Sequence, residues 1–119
     1  MIKGIGTDIV QIKRIKKSME NPDFLTRNFT KSENEYFSSK NHNPHTIAAC
    51  FAAKEALSKA FGTGIRGFSL TDIEVLHDPL GKPYYNLYNN AKEKLGGALV
   101  FLTLSHTNEY AVAFAVIEE

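Results

Sequence analysis

The sequence predicts a single α+β domain in which helices pack on an antiparallel sheet. Helix-like segments fill the first half of the chain and strand-like segments the second half, without the alternation typical of a parallel α/β sheet. The 119 residues, 43% of them hydrophobic, suffice for one core, and no repeat, linker or low-complexity tract divides residues 1–119. A core of this size leaves much surface exposed, so an additional interface would stabilise the chain.

The N-terminal segment is predicted as a strand followed by a helix. Met1–Thr7 has strand character, and Gly4 and Gly6 allow a neighbouring backbone or a ligand to approach it closely. A helix is expected to begin at Asp8, because apolar residues then recur at helical spacing until the stop signal at Pro22. The apolar positions of this helix are Ile12, Ile15 and Met19.

Two further helices have clear start signals. Thr30 and Glu33 have the spacing of a capping box, which predicts that a helix begins there. Asn43 is a good N-cap and Pro44 suits the first helical position, so a long helix is expected from this point to Phe61.

The second half of the chain is predicted to consist mostly of strands. Asp78–Gly81 has the composition of a turn, and His106–Glu109 connects two apolar segments as an antiparallel hairpin. Gly96 and Gly97 are expected to end a short helix. The predicted strands are Leu70–Leu76, Tyr84–Leu87, Ala98–Ser105 and Tyr110–Ile117, and the short helix is Asn89–Leu95.

The charge balance argues against a protein that binds nucleic acid through its whole surface. The chain has 14 basic and 13 acidic residues and a formal net charge of +1. Basic residues nevertheless cluster in the first predicted helix, as Lys13, Arg14, Lys16 and Lys17. This cluster is a candidate surface for an acidic partner.

Cysteine use and hydropathy indicate the compartment. Cys50 is the single cysteine, which excludes an intramolecular disulfide and favours a reducing environment. The sequence has no charged-then-apolar leader and no apolar run as long as a membrane span. We therefore expect a cytoplasmic protein that does not associate with a membrane.

The segment Phe51–Ile65 carries the most chemical information. It is predicted as a helix in which Glu55, Ser58 and Lys59 share one side, followed by the glycine turn Gly62–Gly64. A carboxylate beside a lysine, with glycine-rich backbone beyond, is suited to hold a metal ion and a phosphate together. The alternative is a surface ion pair between Glu55 and Lys59, worth a few tenths of a kcal/mol.

Four other features have a structural explanation beside a functional one. Gly62–Gly67 matches a dinucleotide-binding pattern, but a helix precedes it and a strand follows, the reverse of the required order, so we reject that function. His42 and His45 have a metal-ligand spacing, yet no third ligand is nearby, which favours a solvated loop. Asp8 suits an N-cap as well as a Mg²⁺ ligand, and His106 suits a turn as well as a substrate contact.

Four motifs occur in order along the chain: Gly4-Ile5-Gly6-Thr7-Asp8-Ile9, Phe51–Ile65, Gly81-Lys82-Pro83 and Leu104-Ser105-His106-Thr107. Together they closely resemble bacterial holo-[acyl-carrier-protein] synthases, the short class of 4′-phosphopantetheinyl transferases. The resemblance extends from Ile2 to Ile117 and includes the helix start at Phe29–Glu33. It implies the phosphopantetheinyl transferase fold, with N-terminal helices packed on an antiparallel sheet.

The resemblance also implies a reaction. The 4′-phosphopantetheine group would pass from coenzyme A to a serine of apo-acyl carrier protein, releasing adenosine 3′,5′-bisphosphate, as a step of fatty acid biosynthesis. Asp8 and Glu55 would hold the Mg²⁺ on which the reaction depends, and Lys59 would offset charge on the leaving phosphate or donate a proton to it. The serine proton could pass to a metal-bound water or to a carboxylate, and the sequence leaves both alternatives open.

The implied quaternary structure is a homotrimer with its sites at the subunit interfaces. The implied coenzyme A contacts are Lys59, Gly62, Thr63, Gly64, Pro83, Ser105, His106 and Thr107. One position departs from the family, which commonly has an arginine that contacts nucleotide phosphate where this chain has Cys50. Lys40, His42 and His45 are candidates to supply the missing charge.

The partner and the rival functions follow from the same reasoning. Lys13, Arg14 and Lys17 are expected to dock the acidic carrier protein, and the alternative is a solvated charged face. One rival is a magnesium-dependent hydrolase that cleaves coenzyme A or a nucleotide diphosphate with the same carboxylates. A second rival, an RNA-binding module, is disfavoured because Phe101 and Phe114 lie in apolar runs typical of core.

Overall fold

A computed structural model describes residues 1–119 and confirms the α+β architecture. A three-stranded antiparallel sheet in the order β1-β5-β4 packs on a long central helix, and a separate β2-β3 hairpin completes the fold. The helices are α1 (Ile12–Ser18), α2 (Phe24–Asn28), α3 (Lys31–Ser39), α4 (Pro44–Ala60) and α5 (Asn89–Leu95). The strands are β1 (Ile2–Gln11), β2 (Ile73–His77), β3 (Pro83–Leu87), β4 (Leu99–His106) and β5 (Tyr110–Glu118).

The first strand is longer than predicted, and the prediction of a helix beginning at Asp8 is wrong. Asp8 lies within β1 and pairs with Ala113 of β5, while α1 begins only at Ile12. Val10 is buried and Ile9 exposed, which is strand alternation. The apolar spacing of this segment is compatible with both periods, and the antiparallel ladder with β5 decides between them.

Helix α4 packs unusually closely on β1. A side chain added at Gly4 would overlap the carbonyl oxygen of Ala60, and one added at Gly6 would overlap that of Ala56. The close backbone approach predicted for these two glycines is therefore confirmed, with α4 as the neighbour. Helix α4 also contacts β5, whose inward positions include the fully buried Ala111, Ala113 and Ala115.

The helix signals in the first half are confirmed except at α1. Thr30 caps α3, since its hydroxyl accepts from the Glu33 amide and the Glu33 carboxylate accepts from the Thr30 amide. Asn43 caps α4, and Pro44 is its first residue. Helix α2 was not predicted, because five residues are too few to display a helical period.

The second half follows the prediction with one change. Leu70–Asp72 forms a single 3₁₀ turn, so β2 starts at Ile73 and not at Leu70. The predicted turn closes with the Gly81 amide donating to the Asp78 carbonyl at 2.9 Å. Gly96 ends α5 with φ 62°, and β4 and β5 form the predicted antiparallel hairpin.

The outer face of the three-stranded sheet is exposed and apolar. Phe101 and Phe114, expected in the core, are 52% and 40% exposed, so that expectation is wrong. Strand alternation is the cause, since Leu102 and Ala113 take the inward positions beside them. The same outer face carries Ile5, Ile9 and Leu99, all exposed. No helix of the fold has the length and apolar character needed to cross a membrane.

Candidate active site

The close packing of α4 on β1 brings two carboxylates to one cavity. Asp8 follows Gly6 by two residues in the strand, so it points to the same side, toward α4. Glu55 lies on the part of α4 that faces this side. Both side chains line a cavity of about 320 Å³ together with Arg14, Phe24 and Phe51, among others.

A lysine lies against the first of these carboxylates. The Lys59 ammonium is 2.9 Å from Oδ1 of Asp8 and remains half exposed, whereas the Asp8 side chain is largely covered. Lys59 therefore pairs with a residue 51 positions away in sequence and not with Glu55, one helical turn away. The alternative of a local Glu55–Lys59 surface pair does not describe the structure.

The electrostatics of Glu55 reflect this arrangement. Partial burial raises the pKa of the Glu55 carboxyl, and the negative charge of Asp8 raises it further, while Lys59 lowers it. Two carboxylates that repel each other and face one cavity are suited to share a cation. Mg²⁺ commonly takes one or two carboxylates and completes its shell with water and phosphate oxygens, so this pair fits it without the third protein ligand that is absent here.

Ser58 does not belong to the site. It is fully buried, and its hydroxyl donates to the Lys54 carbonyl at 2.9 Å, a bond within α4. The helical period places Ser58 beside Glu55 and Lys59, as predicted, but Ser58 is buried whereas the other two side chains reach the surface.

The glycine turn after α4 adopts the conformation that its composition predicts. Gly62 and Gly64 have φ of 81° and 64°, and no heavy atom lies within 4 Å of a side chain built there, so conformation and not space requires glycine. Their amides donate to the Lys59 and Ser58 carbonyls, at 2.9 and 3.1 Å. These two amides therefore terminate the helix, and their contact with a phosphate stays a prediction.

Thr63, between the two glycines, is tied to α5. Its hydroxyl accepts from the Lys94 ammonium at 3.2 Å and donates to the Gly64 carbonyl at 3.1 Å. The glycine turn follows the C-terminal end of α4, about four residues after Lys59. The side chain of Thr63 and the cation of Lys94 are the polar groups that it offers.

The remaining predicted coenzyme A contacts lie elsewhere in the chain. Pro83, Ser105 and His106 line a second cavity of about 520 Å³ beside the first half of α4, and His45 also lines it. We call it the histidine cavity. Thr107 is not among its lining residues, because its hydroxyl accepts from the backbone amides of Glu109 and Tyr110 in the hairpin turn. The single chain thus separates the predicted contacts into two groups.

The basic helix borders the carboxylate cavity on one side only. Arg14 lines that cavity, whereas Lys13 and Lys16 line a different surface depression beside Glu109. Lys17 lies between these two sides on the exposed face, since the buried stripe of α1 is Ile12 and Ile15.

The structure contains a buried ion pair that sequence reasoning missed. The Lys54 ammonium lies 2.7 Å from Oε1 of Glu33, and both side chains are inaccessible to solvent. Lys54 also donates to the carbonyls of Leu70 and Ile73, and Oε2 of Glu33 accepts from the Val75 amide. Glu33 was identified only as a capping residue, and no local pattern links it to a lysine 21 positions away.

Comparison with known proteins gives consistent matches over the whole chain. Residues 4–115 match the family model of the 4′-phosphopantetheinyl transferase superfamily. The holo-[acyl-carrier-protein] synthase of Clostridium botulinum (strain Alaska E43 / Type E3) is 54% identical to it, with 99% of this chain and 98% of the relative covered. That of Alkaliphilus metalliredigens is 50% identical, with 98% of each covered.

Solved structures agree with these sequence matches. The holo-[acyl-carrier-protein] synthase of Neisseria meningitidis has a TM-score of 0.89 at 40% identity, with 100% of both chains covered. The Helicobacter pylori synthase in complex with coenzyme A has a TM-score of 0.83 at 32% identity, covering 96% of this chain and 99% of that one.

Proposed function

The chain belongs to the 4′-phosphopantetheinyl transferase superfamily and is a transferase of its holo-[acyl-carrier-protein] synthase class, and we propose that it transfers the 4′-phosphopantetheine group of coenzyme A to a serine of apo-acyl carrier protein. Adenosine 3′,5′-bisphosphate is the second product. The observation that carries this proposal is the pair of carboxylates, Asp8 and Glu55, which β1 and α4 direct into one cavity with Lys59 beside them.

The carboxylate pair addresses the main electrostatic obstacle of the reaction. A serine oxygen must approach a negatively charged diphosphate, and charge builds on the leaving phosphate. Asp8 and Glu55 would hold Mg²⁺, which when bound supplies positive charge to the diphosphate oxygens and aligns them. The raised pKa of Glu55 supports this role. Burial is the larger cause, and the repulsion from Asp8 that adds to it is relieved when both carboxylates bind one cation.

Lys59 is proposed to act on the leaving group. Its ammonium is half exposed and lies 2.9 Å from Oδ1 of Asp8. From that position it can leave Asp8 and offset the charge of the departing phosphate or donate a proton to it. The serine proton passes to water or to a carboxylate oxygen of the pair.

Carrier protein is proposed to approach over α1. Arg14 supports this direction because it lines the carboxylate cavity, so an acidic partner bound at Arg14 and Lys17 has its serine near Glu55. Phe24 and Phe51 give the same cavity an apolar wall for the neighbouring residues of the carrier. Lys13 lies on the other side of α1 and is expected to add only long-range attraction.

A homotrimer is proposed as the active assembly. The outer sheet face exposes Ile9, Leu99 and Phe101, at 63%, 60% and 52%, which is unusual for strands of a chain that remains alone in water. Packing this face against a second copy would bury it, and would allow the histidine cavity of one subunit to adjoin the carboxylates of the next. Sedimentation at micromolar concentration should give three times the chain mass; a stable and fully active monomer would contradict the trimer.

The experiment that tests the function uses three reactants. The protein is incubated with coenzyme A, Mg²⁺ and an apo-acyl carrier protein, and the carrier is weighed by mass spectrometry before and after. A gain of one phosphopantetheine group, with adenosine 3′,5′-bisphosphate in solution, is expected. Coenzyme A cleavage without carrier modification, equally fast when the carrier is omitted, would indicate the rival hydrolase instead.

A further inference from the structure

The carboxylate of Glu33 is buried and accepts four hydrogen bonds. Oε1 accepts from the Thr30 amide at 2.8 Å and from the Lys54 ammonium at 2.7 Å. Oε2 accepts from the Val75 amide at 2.8 Å and from the Cys50 thiol at 3.2 Å. These donors belong to the N-cap of α3, to α4 and to β2. One buried carboxylate therefore joins three elements of the fold.

The Lys54 ammonium is equally saturated. Its three N–H groups donate to Oε1 of Glu33 at 2.7 Å and to the carbonyls of Leu70 and Ile73 at 2.9 and 2.7 Å. Leu70 begins the 3₁₀ turn before β2, and Ile73 is the first residue of β2. A buried ion pair adds little net stability over apolar side chains of the same volume, whereas its directional hydrogen bonds fix the relative positions of the elements that they join.

A second buried carboxylate extends these bonds to the end of β3. Oε2 of Glu74 accepts from the Thr30 hydroxyl at 2.5 Å, and Oε1 accepts from the Asn86 side-chain amide at 3.1 Å and from the Tyr88 hydroxyl at 2.9 Å. Glu74 and Asn86 are also paired in the ladder, at the end of the hairpin remote from its turn. Thr30 links the two carboxylates, because its hydroxyl also accepts from the Glu33 amide.

The β2–β3 hairpin depends on such anchors because no third strand pairs with it. Its strands form a sheet of their own, separate from β1-β5-β4. A two-stranded hairpin is marginal by itself and needs packing against other elements. Ile73, Val75 and Leu87 are buried, but apolar packing is not directional and does not fix how far the hairpin lies along α4. The hydrogen bonds of Glu33 and Lys54 supply that position.

The other end of the hairpin forms a wall of the histidine cavity. Gly81 and Lys82 of the turn line this cavity, as does Pro83, the first residue of β3. Pro83 lies three strand residues from Asn86, about 10 Å, so a small rotation where the hairpin is anchored displaces this wall. Cys50 of α4 lines the same cavity and donates to Glu33, which brings the anchored end and the cavity into one unit.

We propose that Glu33, Lys54 and Glu74 are positioning residues for coenzyme A, which hold the β2–β3 hairpin on α3 and α4 and thereby place Pro83 in the wall of the histidine cavity. The inference rests on the proposed function and on Pro83 as a predicted coenzyme A contact. None of the three residues lines the histidine cavity or the carboxylate cavity, so their effect passes through the backbone of the hairpin.

The first test uses Glu33→Gln in the full chain. The variant keeps the shape of the side chain but replaces one acceptor oxygen by a donor, so two of the four donors lose their acceptor. KM for coenzyme A should rise about tenfold, because Pro83 is no longer held in place, while kcat and KM for the carrier protein should stay within about twofold of wild type. A merely structural role would lower the folded fraction, and hence the apparent kcat, without raising KM.

A milder variant and a control accompany this test. Glu74→Gln disturbs the bonds from Asn86 and Tyr88 but leaves the Glu33–Lys54 pair intact, so it decides the inference if Glu33→Gln does not fold. It should raise KM for coenzyme A by a smaller factor. Ile117→Ala removes a buried apolar side chain from β5, in the other sheet. This control should lose stability and leave KM for coenzyme A unchanged.

Amide hydrogen exchange reports on the hairpin without turnover. In Glu33→Gln, the amides of β2 and β3 should exchange at least about tenfold faster than in the wild type, because the hairpin opens locally. The amides of β4 and β5 should keep their wild-type rates. Equal acceleration in both sheets would indicate general destabilisation and would contradict the inference.

Calorimetric titration with coenzyme A alone separates the inference from the proposed function. A wild-type protein that binds coenzyme A but does not modify the carrier would reject the proposed function, and the affinity of Glu33→Gln for coenzyme A, expected to be about tenfold weaker, would still decide the inference. Folded Glu33→Gln and Glu74→Gln proteins that both retain the wild-type affinity and KM for coenzyme A would overturn it.

Discussion

Two clusters of lysine and carboxylate lie on different sides of α4, and the residues that α4 contributes to them, Lys54 and Glu55, are adjacent in sequence. Lys54 points to Glu33 of α3, and every polar atom of that pair has a protein partner in a solvent-free environment. Glu55 points to Asp8 of β1, where the carboxylates face a cavity and Lys59 stays half exposed. The same residue types thus form a closed cluster, Lys54 and Glu33, and an open cluster, Asp8, Glu55 and Lys59.

The difference shows where unused binding capacity remains in this fold. In the closed cluster each charge has been taken out of water and its desolvation offset by hydrogen bonds, so no capacity is left for a ligand. In the open cluster, burial and the neighbouring charge of Asp8 raise the pKa of Glu55, and the half-exposed Lys59 only partly offsets this. A cation would therefore be stabilised by binding only in the open cluster.

The largest expected effect comes from breaking the closed pair. Lys54→Met leaves the Glu33 carboxylate buried without its cation and should lower the free energy of unfolding by about 3–5 kcal/mol. Urea unfolding followed by circular dichroism measures this. Lys59→Met is the matched control in the open cluster and should change stability by less than about 1 kcal/mol, because the Lys59 side chain is half exposed. Equal losses in both variants would contradict the comparison.

Neutralising the open cluster should have the opposite consequence. Glu55→Gln keeps the size of the side chain but removes a cation ligand, so turnover should fall by about 10²-fold or more at saturating Mg²⁺. The fold should survive, since Glu55 has no salt bridge in the structure. Steady-state kinetics and a thermal unfolding scan measure the two effects. Near-normal turnover would reject Glu55 as a metal ligand.

The raised pKa of Glu55 makes a third prediction, about pH and stability. A carboxyl whose pKa is higher in the folded state destabilises the fold when ionised, and this penalty disappears as pH falls below the unfolded-state pKa. Without metal, Glu55→Gln should therefore be more stable than wild type at neutral pH and lose that advantage near pH 4, about the unperturbed glutamate value. Melting temperatures of both proteins across this pH range test the prediction. A stability advantage of Glu55→Gln that grows toward acid pH would contradict it.

A second measurement tests how far the charge of Asp8 contributes to the raised pKa of Glu55. Asp8→Asn removes the neighbouring negative charge, so the pKa of Glu55 should move down toward its ordinary value in the metal-free protein. Carbon-detected NMR titration of labelled glutamate measures it directly. Burial is the larger cause and persists in this variant, so the pKa should remain above that of an exposed glutamate.

The smallest effect concerns the approach to the open cluster. Arg14→Glu should raise KM for the carrier protein several-fold, because Arg14 lines the carboxylate cavity. Lys16→Glu makes the same charge change on the other side of α1 and should act less. Added salt should reduce the difference in KM between the two variants, since charges more than about 8 Å apart are screened at physiological ionic strength. Equal KM values for both variants would indicate that α1 is only a solvated charged face and does not bind the carrier protein.

Local signals in the sequence determined most element boundaries. The Thr30–Glu33 capping box, the Asn43-Pro44 helix start, the glycine ends of α4 and α5 and the β4–β5 hairpin are all present as predicted. Each depends on interactions between residues at most four or so apart, which the printed sequence displays directly. The motifs likewise predicted the family, which the comparisons confirmed.

Tertiary structure alone decided which partners the charged residues have. Asp8 became a strand residue because β5 pairs with it, and its carboxylate reaches α4 because Gly6 lets the helix lie on the backbone. Lys59 then pairs across 51 residues and Lys54 across 21, while His45 meets His106 across the fold. Charge pairing over such separations is set by packing distance and desolvation, and neither quantity is encoded in the spacing of neighbouring residues.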